Sequence, residues 1–172
     1  GSPAPAGPAT RPSTAAVGAR VSAAADSLRW NLQLNQLWTP ELRPYPHRFV
    51  RQTPAEIVAA VTNPDVTYAF TWWRLAAGEA LEIDLVPPAV RYWGVQLCDR
   101  WFQSYPDRRT NLNDRAAVAD ADGGVRIVVA DGDPGSPNWL DTGGHREGVL
   151  VFRWLHADPD VLPTCRVIPH GD

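Results

Sequence analysis

The chain has 172 residues, 44% of them hydrophobic, and a formal net charge of −3. That is enough apolar material for one domain with a real core, and too much for a disordered chain. The negative balance speaks against a nucleic-acid partner, which needs concentrated positive charge, and no apolar run is long enough to span a membrane.

The first fourteen residues, "GSPAPAGPATRPST", are rich in Pro and Ala and have the composition of an extended tail without a core of its own. If ordered, such a tail needs a surface, either on its own domain or on a neighbouring copy, which would make residues 1–14 a route to a homo-oligomer. From Ala15 to about Leu37 the apolar residues Val17, Val21, Ala24, Ala25, Leu28 and Leu32 recur at three and four residues and predict a helix. Trp30 and Trp38 are expected to anchor it, and Thr39-Pro40 to stop it. Thr53, Pro54 and Glu56 form a capping-box signature and predict a second, short helix over 54–61, ended by Asn63-Pro64-Asp65. Beyond Asp65 the period becomes two. "VTYAFTWWRL", "ALEIDLV", "VRYWGVQLC", "GVRIVVA", "GVLVFRWL" and "TCRVI" read as strands, with Asp122-Gly123-Gly124 as a hairpin turn. No helical pattern separates them, which favours an antiparallel sandwich or barrel over βαβ units. The chain thus divides into the tail at 1–14, a helical segment at 15–62 expected to pack on the body, and a β-domain at 63–172.

Met and Lys are both absent. The first absence leads us to expect a native initiator outside this chain, with Gly1-Ser2 as a cloning scar. With no signal peptide visible, the expected compartment leans to the cytoplasm, secretion being left open. Cys98 and Cys165 both fall in strand-like runs and read as buried free thiols, or as one disulfide between two strands.

Several of these segments together carry a resemblance. "TNPDVTYAFTWWRL", "RYWGVQLCD", "DGGVRIVVADGDPGSPNWL" and "VLVFRWL" resemble a bacterial family, the domain of unknown function 1214, over about residues 62–168. Its most specific part runs from the Asp-Gly turn through Asn138-Trp139-Leu140 to Arg153, with Pro137 where the family pattern usually has Gly. The front piece, Asn63-Pro64-Asp65 followed by Tyr68, is similar to the opening of the companion family 1254. The resemblance implies a mainly β protein, an antiparallel, jelly-roll-like β-sandwich preceded here by the N-terminal helix and the short second helix. It assigns no activity.

The loop "SPNWLDTGGHREG" concentrates the chemistry. Asn138 and Trp139 either pin their own loop or, with His145 and Arg146, line a pocket at the sandwich end for a small polar ligand. A hydrolase or lyase reading pairs His145 with Asp141 or Asp133, or with Asp131, as acid and base. Arg91, Arg100 and Arg108 form a candidate cluster for an anion, against the plainer expectation that strand arginines such as Arg74 and Arg153 pair with Glu82, Asp84 or Asp99. Eight Trp make a sugar-stacking face conceivable, but Trp73 and Trp93 are expected to be covered by the N-terminal helix. The four His and two Cys have no ligand spacing for a metal, "DGDPG" is an incomplete calcium loop, and no cofactor is expected.

Overall fold

The computed structural model describes residues 11–51, 63, 65–156 and 162–171, with the backbone alone over 34–38. The short helix expected over 54–61 and most of the Pro/Ala tail lie outside the described residues. The chain divides into two compact units, Gly1–Leu37 and Trp38–Asp172.

The first unit holds the helix α1, Thr14–Trp38. Ser13 caps it: its hydroxyl accepts the Ala16 N–H at 3.2 Å and its carbonyl accepts the Val17 N–H at 3.0 Å. Val17, Val21, Leu28, Trp30 and Leu32 are exposed along it. No helix among the described residues is long and apolar enough to cross a membrane.

The second unit is a two-sheet sandwich. Its strands are β1 (Val50–Arg51), β2 (Val66–Arg74), β3 (Glu79–Leu85), β4 (Tyr92–Asp99), β5 (Asn111–Asn113), β6 (Val125–Ala130), β7 (Trp139–Asp141), β8 (Glu147–Leu155) and β9 (Thr164–Pro169). One sheet has the order β1-β2-β8-β4-β5 and the other β7-β6-β3-β9. All pairings are antiparallel except β6 with β7, which is parallel. The antiparallel sandwich expected from the sequence thus carries one parallel pair, and β7 corrects the reading of 139–141 as loop. Three residues are too few to show a period, yet Trp139–Asp141 pairs with Val128–Ala130.

Period-two alternation divides the side chains. Ala69 and Trp73 of β2, Leu81 and Ile83 of β3, Trp93 and Val95 of β4, Ile127 of β6 and Phe152 and Trp154 of β8 share one core between the sheets. A fully buried aromatic of this kind contributes about 1.5–3 kcal/mol. Trp73 and Trp93 therefore lie in the intersheet core, which overturns the expectation that the helix covers them. Trp72 points the other way and is also fully buried, in a cluster with Leu42, Phe70, Cys98, Val149 and Val151 on the outer face of the five-stranded sheet. Both faces of β2 are thus covered, so one apolar ring on each side is tolerated.

Two local features lock this centre. The Trp73 Nε1–H donates to the Cys98 carbonyl at 3.0 Å across β8. It passes Gly148, where a Cβ would collide with that same carbonyl and lie 2.8 Å from Nε1. On the outer side, His47 adopts a left-handed φ of 66°, donates its N–H to the Trp72 carbonyl at 2.7 Å and holds Arg74 through Nε2.

Three smaller expectations resolve here. The Asp122-Gly123-Gly124 turn closes, with Gly123 N–H on the Asp120 carbonyl, but the residues near Val118 form no strand, so it is not a two-strand hairpin. Cys98 and Cys165 are both free, the first on the outer face of one sheet and the second on β9 of the other. Glu82 and Asp84 pair with Arg126, and Glu82 also with Arg166, whereas Arg74 pairs with Glu147.

Candidate functional site

The rim of the sandwich is built by two connections, 100–110 between β4 and β5 and 142–146 between β7 and β8. The strand order explains their meeting: β4 and β8 are neighbours, and Asp99 at the end of β4 faces Gly148 at the start of β8. The two segments are joined by the Asp141 N–H donating to the Arg109 carbonyl at 2.8 Å and by an Arg109 side-chain bond to the Pro137 carbonyl.

Asp141 is buried. Its Oδ2 accepts from the Arg108 guanidinium at 3.2 Å and its Oδ1 from the Gly143 N–H at 2.8 Å. The Arg108 side chain stays 56% exposed. It lies across Gly143, whose φ of +59° suits glycine, and a Cβ there would meet Arg108 at 3.7 Å. His145 lies flat on Tyr105, with ring centroids 4.6 Å apart and planes 6° apart. Its backbone N–H closes a turn on the Thr142 carbonyl. The Tyr105 hydroxyl is buried without a partner among the described residues, and burial, with Asp99 second, pushes its pKa up.

The predicted residues separate into three groups. Arg108, Asp141 and His145 lie at this rim, and Arg146 follows on the same connection as His145, against Asp131. Asn138 and Trp139 are spent on the fold: the Asn138 amide holds the Val118 N–H and carbonyl and the Arg126 carbonyl at 2.7–2.9 Å, and Trp139 Nε1 donates to the Ala130 carbonyl. The remaining proposals do not assemble. Arg91 precedes β4 and Arg100 follows it, and eight strand residues separate them by about 25 Å. A three-arginine anion cluster is therefore not formed. Among the described residues the His145 ring has no hydrogen bond or ion pair with Asp131, Asp133 or Asp141. Asp133 accepts the Gly135 N–H, and Asp131 the Gly144 N–H with Arg146 at 3.8 Å.

Other chemistry is quiet. Burial first, then Asp99, pushes the Cys98 thiol up to about 12, against a smaller opposing effect of Arg153. Among the described residues no three His, Cys, Asp or Glu side chains are grouped to hold a metal. Sequence reasoning missed Tyr105, although a ring in the otherwise polar loop "QSYPDRRT" was the available signal. It also missed a cavity of about 290 Å³ at the far end of the four-stranded sheet, lined by Asp84, Val86, Asp120, Asp122, Arg126 and Leu162 among others.

A crystal structure of an uncharacterised protein from Burkholderia cenocepacia is similar, with 37% identity and a TM-score of 0.73, covering 79% of this chain and 39% of that one. A structure from Vibrio parahaemolyticus is 19% identical with a TM-score of 0.47, covering 59% and 30%. The chain thus spans about two fifths of the length of the Burkholderia protein. No curated protein matches it. A family model matches residues 72–159, a span that holds the buried Trp pair, the rim and β8, and the chain belongs to that family, described as a protein of unknown function, DUF1214.

Proposed function

We propose that this domain is a binding module whose rim takes a small anionic ligand on Arg108, beside the Tyr105–His145 stack. One observation carries the reading: Arg108 is fixed by a single hydrogen bond to buried Asp141 while its side chain remains more than half exposed. A guanidinium has five N–H donors, so most of the fork is left for a ligand. Arg146, on the facing 142–146 connection and 3.8 Å from Asp131, supplies a second cation, and the stacked rings offer a flat wall. Binding rather than hydrolase or lyase chemistry is supported by the absence of any His145–Asp hydrogen bond among the described residues.

The test is a residue-resolved NMR titration with inorganic sulfate and with acetate. The Gly143 and Gly144 amides should shift in the original chain and cease to do so in Arg108→Gln. Shifts that survive Arg108→Gln, or none at all, would refute the rim assignment.

Self-assembly is a second reading, favoured by the exposure of Val17, Val21, Leu28 and Leu32 at helical spacing on α1. Light scattering separates its two routes. Removal of residues 1–14 lowers the mass if the tail is responsible, Leu28→Glu lowers it if the helix is, and a monomeric original chain contradicts both.

A further inference from the structure

The sixteen arginines form an unexpected distribution. All are exposed except Arg43 and Arg153, which are half-buried. Both stand on the outer face of the five-stranded sheet, Arg43 above the Trp72 ring and Arg153 on β8 two residues beyond Val151. A cation leaving water calls for a carboxylate. Yet it is exposed arginines that have them: Arg74 with Glu147, Arg108 with Asp141, Arg126 with Asp84. Arg43 is compensated by the indole face, 4.7 Å from its guanidinium carbon. Arg153 has no hydrogen bond or ion pair among the described residues.

Its neighbours are donors. In the sheet register Arg153 lies directly opposite Tyr68 on one side and Gly94 on the other. Residues so opposed project to the same face with their side chains about 5 Å apart. A Cβ on Gly94 would sit 2.5 Å from the Tyr92 hydroxyl, so Tyr92 leans across the glycine into the same row. Tyr68 and Tyr92 are half-buried, and neither hydroxyl has a hydrogen-bond partner among the described residues. Three strands therefore place an arginine and two tyrosines at adjacent register positions on one face of the sheet, with no carboxylate at those positions.

We propose that this cross-strand row is a second binding site, independent of the rim, for a small organic carboxylate. The Arg153 fork takes the carboxylate oxygens, and the Tyr68 and Tyr92 hydroxyls donate to the lone pairs that remain. Gly94 is the positioning residue, since any side chain there displaces the Tyr92 hydroxyl.

Residue-resolved NMR titrations of the full chain with benzoate, and separately with inorganic phosphate at matched ionic strength, test this. Benzoate should shift the Gly94 and Arg153 backbone amides. Arg153→Met should remove those shifts, and the double change Tyr68→Phe, Tyr92→Phe, which keeps the rings and the fold, should weaken binding about tenfold. Strand shifts with phosphate and none with benzoate would overturn the carboxylate assignment. Strand shifts that persist unchanged in both variants, or no strand shifts at all, would overturn the site. The Gly143 and Gly144 amides report the rim in the same spectra, so failure of either site is read separately.

Discussion

Arg108 at the rim and Arg153 on the outer sheet face carry the same side chain in opposite circumstances. Arg108 is exposed and tied to a buried carboxylate; Arg153 is half-buried and has no hydrogen bond or ion pair among the described residues. The contrast teaches that the two serve different ends. At the rim the charge is shared: buried Asp141 takes one N–H of Arg108, and the rest of the exposed fork is left to a ligand. On the sheet face the fold has no use for the charge, and a ligand is left as the group that does.

The comparison rests on a sandwich centre that holds both regions in register, and the largest expected effect lies there. Gly148→Ala should destabilise the second unit by about 3 kcal/mol in chemical denaturation, since the added Cβ collides with the Cys98 carbonyl and crowds the Trp73 Nε1–H. A loss below about 1 kcal/mol would mean that β4 and β8 slide to make room, and that the rim geometry is looser than described.

At the rim, Asp141→Ala should cost about 2 kcal/mol, measured the same way, because the Gly143 N–H and the Arg108 guanidinium both lose their acceptor. It should also release Arg108 and broaden the Gly143 amide resonance. A neutral outcome would show that the pair is ornamental and would remove the rim's half of the contrast.

A pH effect, smaller than these, comes from His47. Burial first, and the charge of Arg74 last, hold its pKa below the ordinary 6.5, against a hydrogen bond to the Arg74 carbonyl and the charge of Glu79. The unfolded chain then binds the proton more readily than the folded one. Stability is fully present above pH 6.5, falls as pH drops below it, and levels off beneath the folded pKa. Unfolding curves between pH 7.5 and about 5 check this. His47→Gln should flatten that part of the profile, and an unchanged slope would assign it to other groups.

Much of the fold was legible because alternation is a direct consequence of strand geometry. Leu81, Ile83 and Leu85 point inward as the pattern demanded, and α1 begins within one residue of its expected start. Three things were not legible. Trp72-Trp73 violates one-sided alternation, and only a sheet covered on both faces accommodates it. The parallel strand β7 is too short to carry a period. Asn138, singled out as a ligand residue, spends its amide on Val118 and Arg126, partners 20 and 12 residues away, which no local reading supplies. The site was half legible for the same reason: His145 and Arg146 announce themselves in a Gly-rich loop, but Tyr105 reaches them only through the β4–β8 pairing, and the Tyr68–Arg153–Gly94 row exists only once register is known.

The most direct measurement compares the unfolding free energies of Arg108→Met and Arg153→Met under one condition. Arg108→Met should lose about 1–2 kcal/mol, since it strands a buried carboxylate. Arg153→Met should lose less than about 0.5 kcal/mol or gain stability, since it removes a half-buried charge without breaking any pair. Equal losses in the two variants, or a larger loss at Arg153, would contradict the account.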